Sequence, residues 1–290
     1  MAAPAEPEAK RASSLTLRIL SAAILIPIVI AAVYAGHPAW DLLVILFGAV
    51  MIWEWCGIAA RSRPAAGRRW GTTVAAILLV LAVLVAFAFP TVLPPSLDLL
   101  AGPGFFIAAV IAVFLGALPA YRGAALWFGL GMVYVLVPCL AIIALRADPA
   151  IGLQQIFWIV ALVIAADTGA YIAGRSIGGP KLAPRVSPNK TWAGLGGAVV
   201  SAAIVGAVTA VVLGRPSLVP LAAVSAGLAF VEQAGDCAES AFKRGFGVKD
   251  ASHIIPGHGG ALDRVDGLIA VATAVAGINA LTGSSVLTWL

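Results

Sequence analysis

Asp236, Glu239, Ser240 and Lys243 lie three, four and seven residues apart, and Asp263 and Asp266 stand three apart downstream. On helices each set falls on one face. Pro256 and the run Gly-His-Gly-Gly, residues 257–260, lie between them. Glycines there permit tight turns and close backbone approach to a ligand, so the chain can fold back and bring two acidic helix ends together. Oxygen donors from several carboxylates suit Mg²⁺ or a similar hard cation, which keeps waters and shares phosphate oxygens. Lys243, Arg244, Lys249 and Arg264 would neutralise phosphates. The competing reading is a solvated loop with surface ion pairs, and it stands level for Glu232, Arg244 and Asp250 taken singly. It is weaker for Asp236, Asp263 and Asp266, which sit at helix ends beside apolar segments where ionisable groups are costly. His258 has three readings: general base, substrate contact or turn residue. His253 reads as a loop residue.

A second constellation is DTGAYIAGRSIGGPKLAPRVSPNKTWAG, residues 167–194. Asp167, Ala170, Tyr171 and Gly174 share a helix face whose small residues allow close helix contact. In the SPNKT run, Ser187, Lys190 and Thr191 place a cation and two hydroxyls before an apolar helix, and a helix N-terminus can bind phosphate. It is not a P-loop, because the GxxxxGK[ST] framework is missing. The alternative is helix capping with a membrane-anchoring lysine.

The elements that must position these residues are apolar helices. The chain has 290 residues, 61% hydrophobic and 11% charged, where a soluble domain is about a quarter charged. Apolar runs recur along its length, so the expected fold is all-α: a polytopic integral membrane protein of about nine transmembrane helices. The expected spans are 16–35, 39–59, 72–90, 104–119, 125–145, 153–173, 193–213, 217–235 and 267–289. With a cytoplasmic N-terminus, this count puts all but Arg146 and Arg215 of the Lys and Arg residues on the cytoplasmic side. It also puts the polar loops 174–192 and 236–266 there together. The net charge of +5 therefore reads as topology and not as nucleic-acid binding. Residues 1–14 are expected to be a disordered cytoplasmic lead, 15–124 N-terminal transmembrane helices, and 125–290 the catalytic region. The first apolar run reads as an uncleaved helix. Cys56, Cys139 and Cys237 lack metal-ligand spacing and read as small buried hydrophobes. Glu54, in the run Trp-Glu-Trp, is either a buried partner for a cation or a snorkelling side chain, with no catalytic role assigned. Small residues on several helices are compatible with a homodimer.

The stretch from Ser240 to Asp266 resembles the signature of the phosphatidate cytidylyltransferases, also called CDP-diacylglycerol synthases. It stands here as S-A-F-K-R, V-K-D, P-G-H-G-G and D-R-V-D, with every spacing kept. The SPNKT run and the D-x-x-A-Y-x-x-G segment are also similar to that family, so the resemblance covers about residues 125–289. One departure follows SPNKTW, where relatives commonly carry Glu-Gly and this chain carries Ala193-Gly194. The resemblance implies transfer of a cytidylyl group from CTP to phosphatidic acid, giving CDP-diacylglycerol and pyrophosphate for phospholipid synthesis, with a divalent cation such as Mg²⁺. It implies that Asp236, Asp263 and Asp266 hold metal and, with Lys243, form the catalytic set. Ser240, Lys243, Lys249 and His258 would line the nucleotide and phosphate site, and Ser187, Lys190 and Thr191 would touch a phosphate. Arg244, Asp250 and Arg264 complete the expected substrate-binding set. Because a phosphate oxygen is already a nucleophile, His258 is then expected to bind or orient and not to act as a base. The expected setting is a bacterial inner membrane with the site facing the cytoplasm. A transporter, a kinase of another membrane lipid and a non-catalytic scaffold are the rival classes.

Overall fold

The computed structural model describes residues 8–62 and 125–289. Seven long helices account for most of them: α1 (Glu8–Ala35), α2 (Ala39–Ala59), α3 (Ala125–Ala147), α4 (Gly152–Ser176), α5 (Trp192–Val212), α6 (Val219–Gly245) and α7 (Leu262–Thr282). Local chemistry sets their ends. Thr191 caps α5, its hydroxyl oxygen accepting the Gly194 N–H at 3.0 Å. Pro220 opens α6, and Lys243 and Arg244 lie in its last turn, where the helix dipole favours cations. Gly283 closes α7 in the left-handed conformation, φ 67°.

Among the described residues, six helices are long and apolar enough to cross a membrane: α1 from Thr16, α2, α3 from Leu126, α4, α5 and α7. The protein is a helical integral membrane protein. The expected spans at 39–59, 125–145, 153–173 and 193–213 coincide with α2 to α5 within a few residues. Those at 72–90 and 104–119 lie outside the described residues, as do residues 1–7 of the N-terminal lead. Helix α1 already begins at Glu8, inside that lead. The eighth expected span, 217–235, differs more. Its helix runs on to Gly245 and is not among the six, because its second half carries Glu232, Gln233, Asp236, Glu239 and Lys243. The ninth begins at Leu262 and not at 267, which puts Asp263 and Asp266 inside the helix. The loop expected at 236–266 therefore shrinks to 246–261. The loop expected at 174–192 begins within α4 and then forms an antiparallel hairpin, β1 (Lys181–Ala183) and β2 (Ser187–Thr191). The fold is mostly helical with this small addition.

Helix α4 packs on α5, α5 on α6, α6 on α7, and α7 on α3, which packs on α2. Helix α1 lies at the margin, with 11% of its span buried. Apolar side chains such as Ile24, Ile164, Ile204 and Val208 point outward, as expected where lipid and not water surrounds the helices. In lipid there is no hydrophobic drive between helices, so close approach depends on small residues. At Gly235 on α6, a Cβ would meet the Ala270 Cβ of α7 at 2.6 Å. That approach brings the acidic turns of α6 and α7 together.

The start of α1, α3, α5 and α7 and the end of α2, α4 and α6 gather at one end of the bundle. Contacts described below join them there. At the other end, Arg146 near the C-terminus of α3 donates from Nε to the Val33 carbonyl of α1 at 2.6 Å.

Candidate active site

Lys243 stands at the centre of the polar end. Its ammonium lies 2.6 Å from Asp263 Oδ1 of α7 and 2.6 Å from Glu239 Oε2, one turn back on α6. The first contact is a hydrogen bond; the second is a charge contact whose angle is poor for one. Both partners on α6 are buried, Glu239 at 1% exposure and Lys243 at 8%. Burial pushes the Glu239 carboxyl up to about 8 against the opposing pull of Lys243. The Lys243 ammonium is held above its ordinary value: burial works against its charge, and the contacts with Asp263 and Glu239 outweigh it. Asp263 also accepts from backbone: Ala251 N–H lies 3.2 and 3.0 Å from its two oxygens, and Gly260 N–H lies 3.0 Å from Oδ2. Asp266, one turn further along α7, accepts the Gly267 N–H at 2.9 Å.

The loop 246–261 is shaped by turns that glycine permits. Gly257 and Gly259 have φ of +76° and +91°, a region that residues with a Cβ rarely enter. Ile255 and Gly259 bridge across the turn, with the Ile255 N–H donating to the Gly259 carbonyl at 2.9 Å. Arg244 donates to the Val248 carbonyl at 2.8 Å and closes the first turn of the loop. The loop is anchored from below by Glu54 of α2. That carboxylate, 2% exposed, accepts the N–H groups of Ala261 and Leu262 at 2.9 and 2.7 Å, and the Ser252 hydroxyl as well. Both expected readings of Glu54, cation partner and snorkelling group, are corrected. It is an anion set at the N-terminus of α7, where free N–H groups and the helix dipole favour negative charge. The next residue, Trp55, stacks on Phe242 of α6 with ring centres 3.6 Å apart and planes 6° apart. Its indole N–H donates to the Trp127 carbonyl at 2.7 Å, which ties in the start of α3. The only sequence signal for this pair was a carboxylate between two tryptophans in an apolar helix.

The hairpin supplies a second ammonium. Lys190 lies 2.8 Å from Asp236 Oδ2, and Ser240 donates to Asp236 Oδ1 at 3.2 Å. Asp167, Ala170, Tyr171, Lys190, Thr191 and Asp236 are among the residues lining a cleft of about 140 Å³. The shared face expected on α4 is thus turned to the SPNKT strand and to α6. Thr191 is buried with its oxygen engaged as the α5 cap, and Ser187 pairs with Ala183 at the far end of the hairpin and lines no described cleft.

A larger cleft, about 590 Å³, opens between the loop and α1. Lys249, Asp250, His253, His258 and Arg264 line it, together with Arg18. His258 Nδ1 lies 2.8 Å from the Ser21 hydroxyl of α1. Of the expected site residues, Lys190, Asp236 and Ser240 are joined by direct contacts and Lys243 is joined to Asp263, while Lys249, Asp250, His258 and Arg264 share the larger cleft.

For a metal, the chemistry of the donors fits a hard cation: they are all carboxylates. Among the described residues, no three of His, Cys, Asp and Glu stand close enough to form one cage. Mg²⁺ does not require such a cage, since one or two carboxylates plus substrate phosphates commonly hold it. Asp236 and Asp263 each already face an ammonium, so the site has two positions where positive charge is stabilised.

A helical membrane protein whose polar end gathers buried lysines, helix-end carboxylates and a cleft lined mainly by cations has the residue types that phosphate chemistry calls for. Comparison with known proteins narrows the class. Residues 16–281 match the model of the cytidylyltransferase family, and the chain belongs to that family. It is 35% identical over 260 residues to a phosphatidate cytidylyltransferase of Brucella suis, covering 90% of this chain and 91% of that protein. It is 36% identical over 259 residues to one of Pseudomonas aeruginosa, with 87% and 92% covered. It is 40% identical over 121 residues to one of Bacillus subtilis, with 41% and 45% covered.

Proposed function

We propose that the protein transfers a cytidylyl group from CTP to phosphatidic acid, giving CDP-diacylglycerol and pyrophosphate. The carrying observation is the Lys243–Asp263 junction between α6 and α7, built from a complete Ser240–Asp266 signature in a chain whose relatives named phosphatidate cytidylyltransferase align over nine-tenths of it. In the reaction, a phosphate oxygen of the lipid attacks the α-phosphorus of CTP. The bond from that phosphorus to the oxygen bridging to the β-phosphorus breaks, and pyrophosphate departs. Both reactants are anions, so repulsion and the charge on the leaving group are the main obstacles. Lys243 and Lys190 are placed to oppose both. Lys190 lines one cleft and Arg264, next to Asp263, lines the other, which offers separate cations to two anions. His258, hydrogen-bonded to α1, is assigned to binding, since no proton need be removed from the nucleophile.

Asp236, Asp263 and Asp266 are the groups that would hold a divalent cation, which when bound would neutralise phosphate charge and polarise the leaving pyrophosphate. We place the site on the cytoplasmic face of a bacterial inner membrane, in a nine-span topology with a cytoplasmic N-terminus. Positive charge concentrates at the end of the bundle that carries the site, and α2 ends and α3 begins at that same end, which agrees with an even number of intervening crossings. The test is purified protein in mixed micelles with labelled CTP, phosphatidic acid and Mg²⁺. Labelled CDP-diacylglycerol is the expected product, and its loss in Asp263→Asn is expected. No product from the wild type, or undiminished product from the variant, overturns the reading.

A further inference from the structure

Arg18 and Arg264 hold the same turn from opposite sides. Arg18 Nε donates to the Gly257 carbonyl at 2.9 Å, and Arg264 Nε donates to the next carbonyl, His258, at 2.8 Å. One arginine comes from the first half of α1 and the other from α7, 246 residues later. A guanidinium fixed through Nε keeps its planar terminal fork for a second partner. Both side chains are exposed and line the 590 Å³ cleft with Lys249. Asp250 is the one carboxylate among the lining residues. Among the described residues, none of these three cations lies within ion-pair distance of a carboxylate.

The position of Arg18 is also determined by more than its own bond. Ser21, one turn along α1, lies 3.1 Å from the Pro256 carbonyl and 2.8 Å from His258 Nδ1. A Cβ on Gly257 would meet the Arg18 backbone nitrogen at 2.9 Å, so this glycine lets the helix backbone itself rest on the turn. Charge excess, fixed orientation and open volume coincide, and together they match a polyanion.

We propose that Arg18 and Arg264 form a two-guanidinium clamp for a substrate phosphate group, so that α1 contributes a binding residue and is more than a membrane anchor. This rests on the phosphate chemistry of the proposed function and extends it to a residue outside the signature. The phosphate could belong to the nucleotide or to the lipid headgroup, and the experiment separates the two.

Full-length wild type, Arg18→Ala, Arg18→Gln and Ser21→Ala would be compared in detergent micelles. Inorganic pyrophosphate serves as a binding probe through its effect on the unfolding temperature, and KM is measured for CTP and for phosphatidic acid separately. Loss of one charge-assisted contact is expected to raise one KM about tenfold, with kcat changed far less. A rise for CTP with loss of the pyrophosphate-induced stabilisation places the nucleotide phosphates in the clamp. A rise for phosphatidic acid alone places the lipid phosphate there. The glutamine variant keeps bulk without charge and is expected to match alanine, which guards against a loss of fold in the smaller side chain. The proposal is overturned if neither KM nor the pyrophosphate effect changes, or if Ser21→Ala, which loosens α1 from the turn without removing charge, reproduces the loss. If the wild type makes no CDP-diacylglycerol, the proposed reaction falls, and pyrophosphate stabilisation still decides the clamp.

Discussion

Two buried ionisable groups on adjacent turns of α6, Glu239 and Lys243, set the energetics of the site. Lys243 separates Glu239 from Asp263, so removing it leaves carboxylates without a counter-charge. Lys243→Met is expected to destabilise the protein by about 3 kcal/mol or more, read as a drop in unfolding temperature in detergent, and the further change Glu239→Gln is expected to recover part of it. The same pair gives a pH dependence. The folded-state value of Glu239, about 8, lies above its ordinary 4.5, so the folded protein binds this proton more tightly than the unfolded chain. The resulting stabilisation is complete below about pH 4.5 and is lost as pH rises through about 8. In the presence of chelator, Glu239→Gln should lose this component of the fall in unfolding temperature between pH 5 and pH 9. A fall of unchanged size in the variant would show that Glu239 does not cause it.

At the level of elements, α2 is the support on which the signature loop is built. Glu54 and Trp55 are neighbours in sequence and so point about 100° apart on the helix, one to the start of α7 and the other to α6. Glu54→Ala removes the acceptor for two helix N–H groups and a hydroxyl, and is expected to cost about 2 kcal/mol. Glu54→Gln keeps one acceptor oxygen and should cost less. The check is thermal unfolding together with activity: Asp263 is aimed by this turn, so kcat should fall along with stability in the alanine variant and recover partly in glutamine. Gly131 of α3 makes room for the indole, since a Cβ there would sit 2.2 Å from Trp55 Cδ1. Gly131→Ala should therefore disturb the stack of Trp55 on Phe242, visible as a change in tryptophan fluorescence.

Across the whole molecule, each of the seven long helices presents one end to the site and the other to the opposite side of the bundle. Single cysteines in a background lacking Cys56, Cys139 and Cys237 test the orientation. Pro184, at the hairpin turn, and Ser284, beyond α7, are both exposed and lie at opposite ends. An impermeant thiol reagent applied to intact cells should label Ser284→Cys and spare Pro184→Cys until the membrane is opened. The reverse pattern would invert the proposed topology.

Residue spacing alone determined that Asp236, Ser240 and Lys243 share a helix face and that Asp263 and Asp266 begin the next one, because helical period is a local property. Hydropathy likewise located α2 to α5 within a few residues, since lipid demands long apolar runs. The end of α6 escaped that reasoning: its polar turns pair with α7, and pairing partners distant in sequence leave no periodic trace. Only the tertiary structure decided that Lys243 bridges Glu239 and Asp263, that Lys190 faces Asp236, and that Thr191 is a cap. Glu54 and Arg18 depended on it most. Each is a charge set within an apolar run, where composition shows no partner, and each meets the signature loop only because α1 and α2 pack beside a turn some two hundred residues further along the chain.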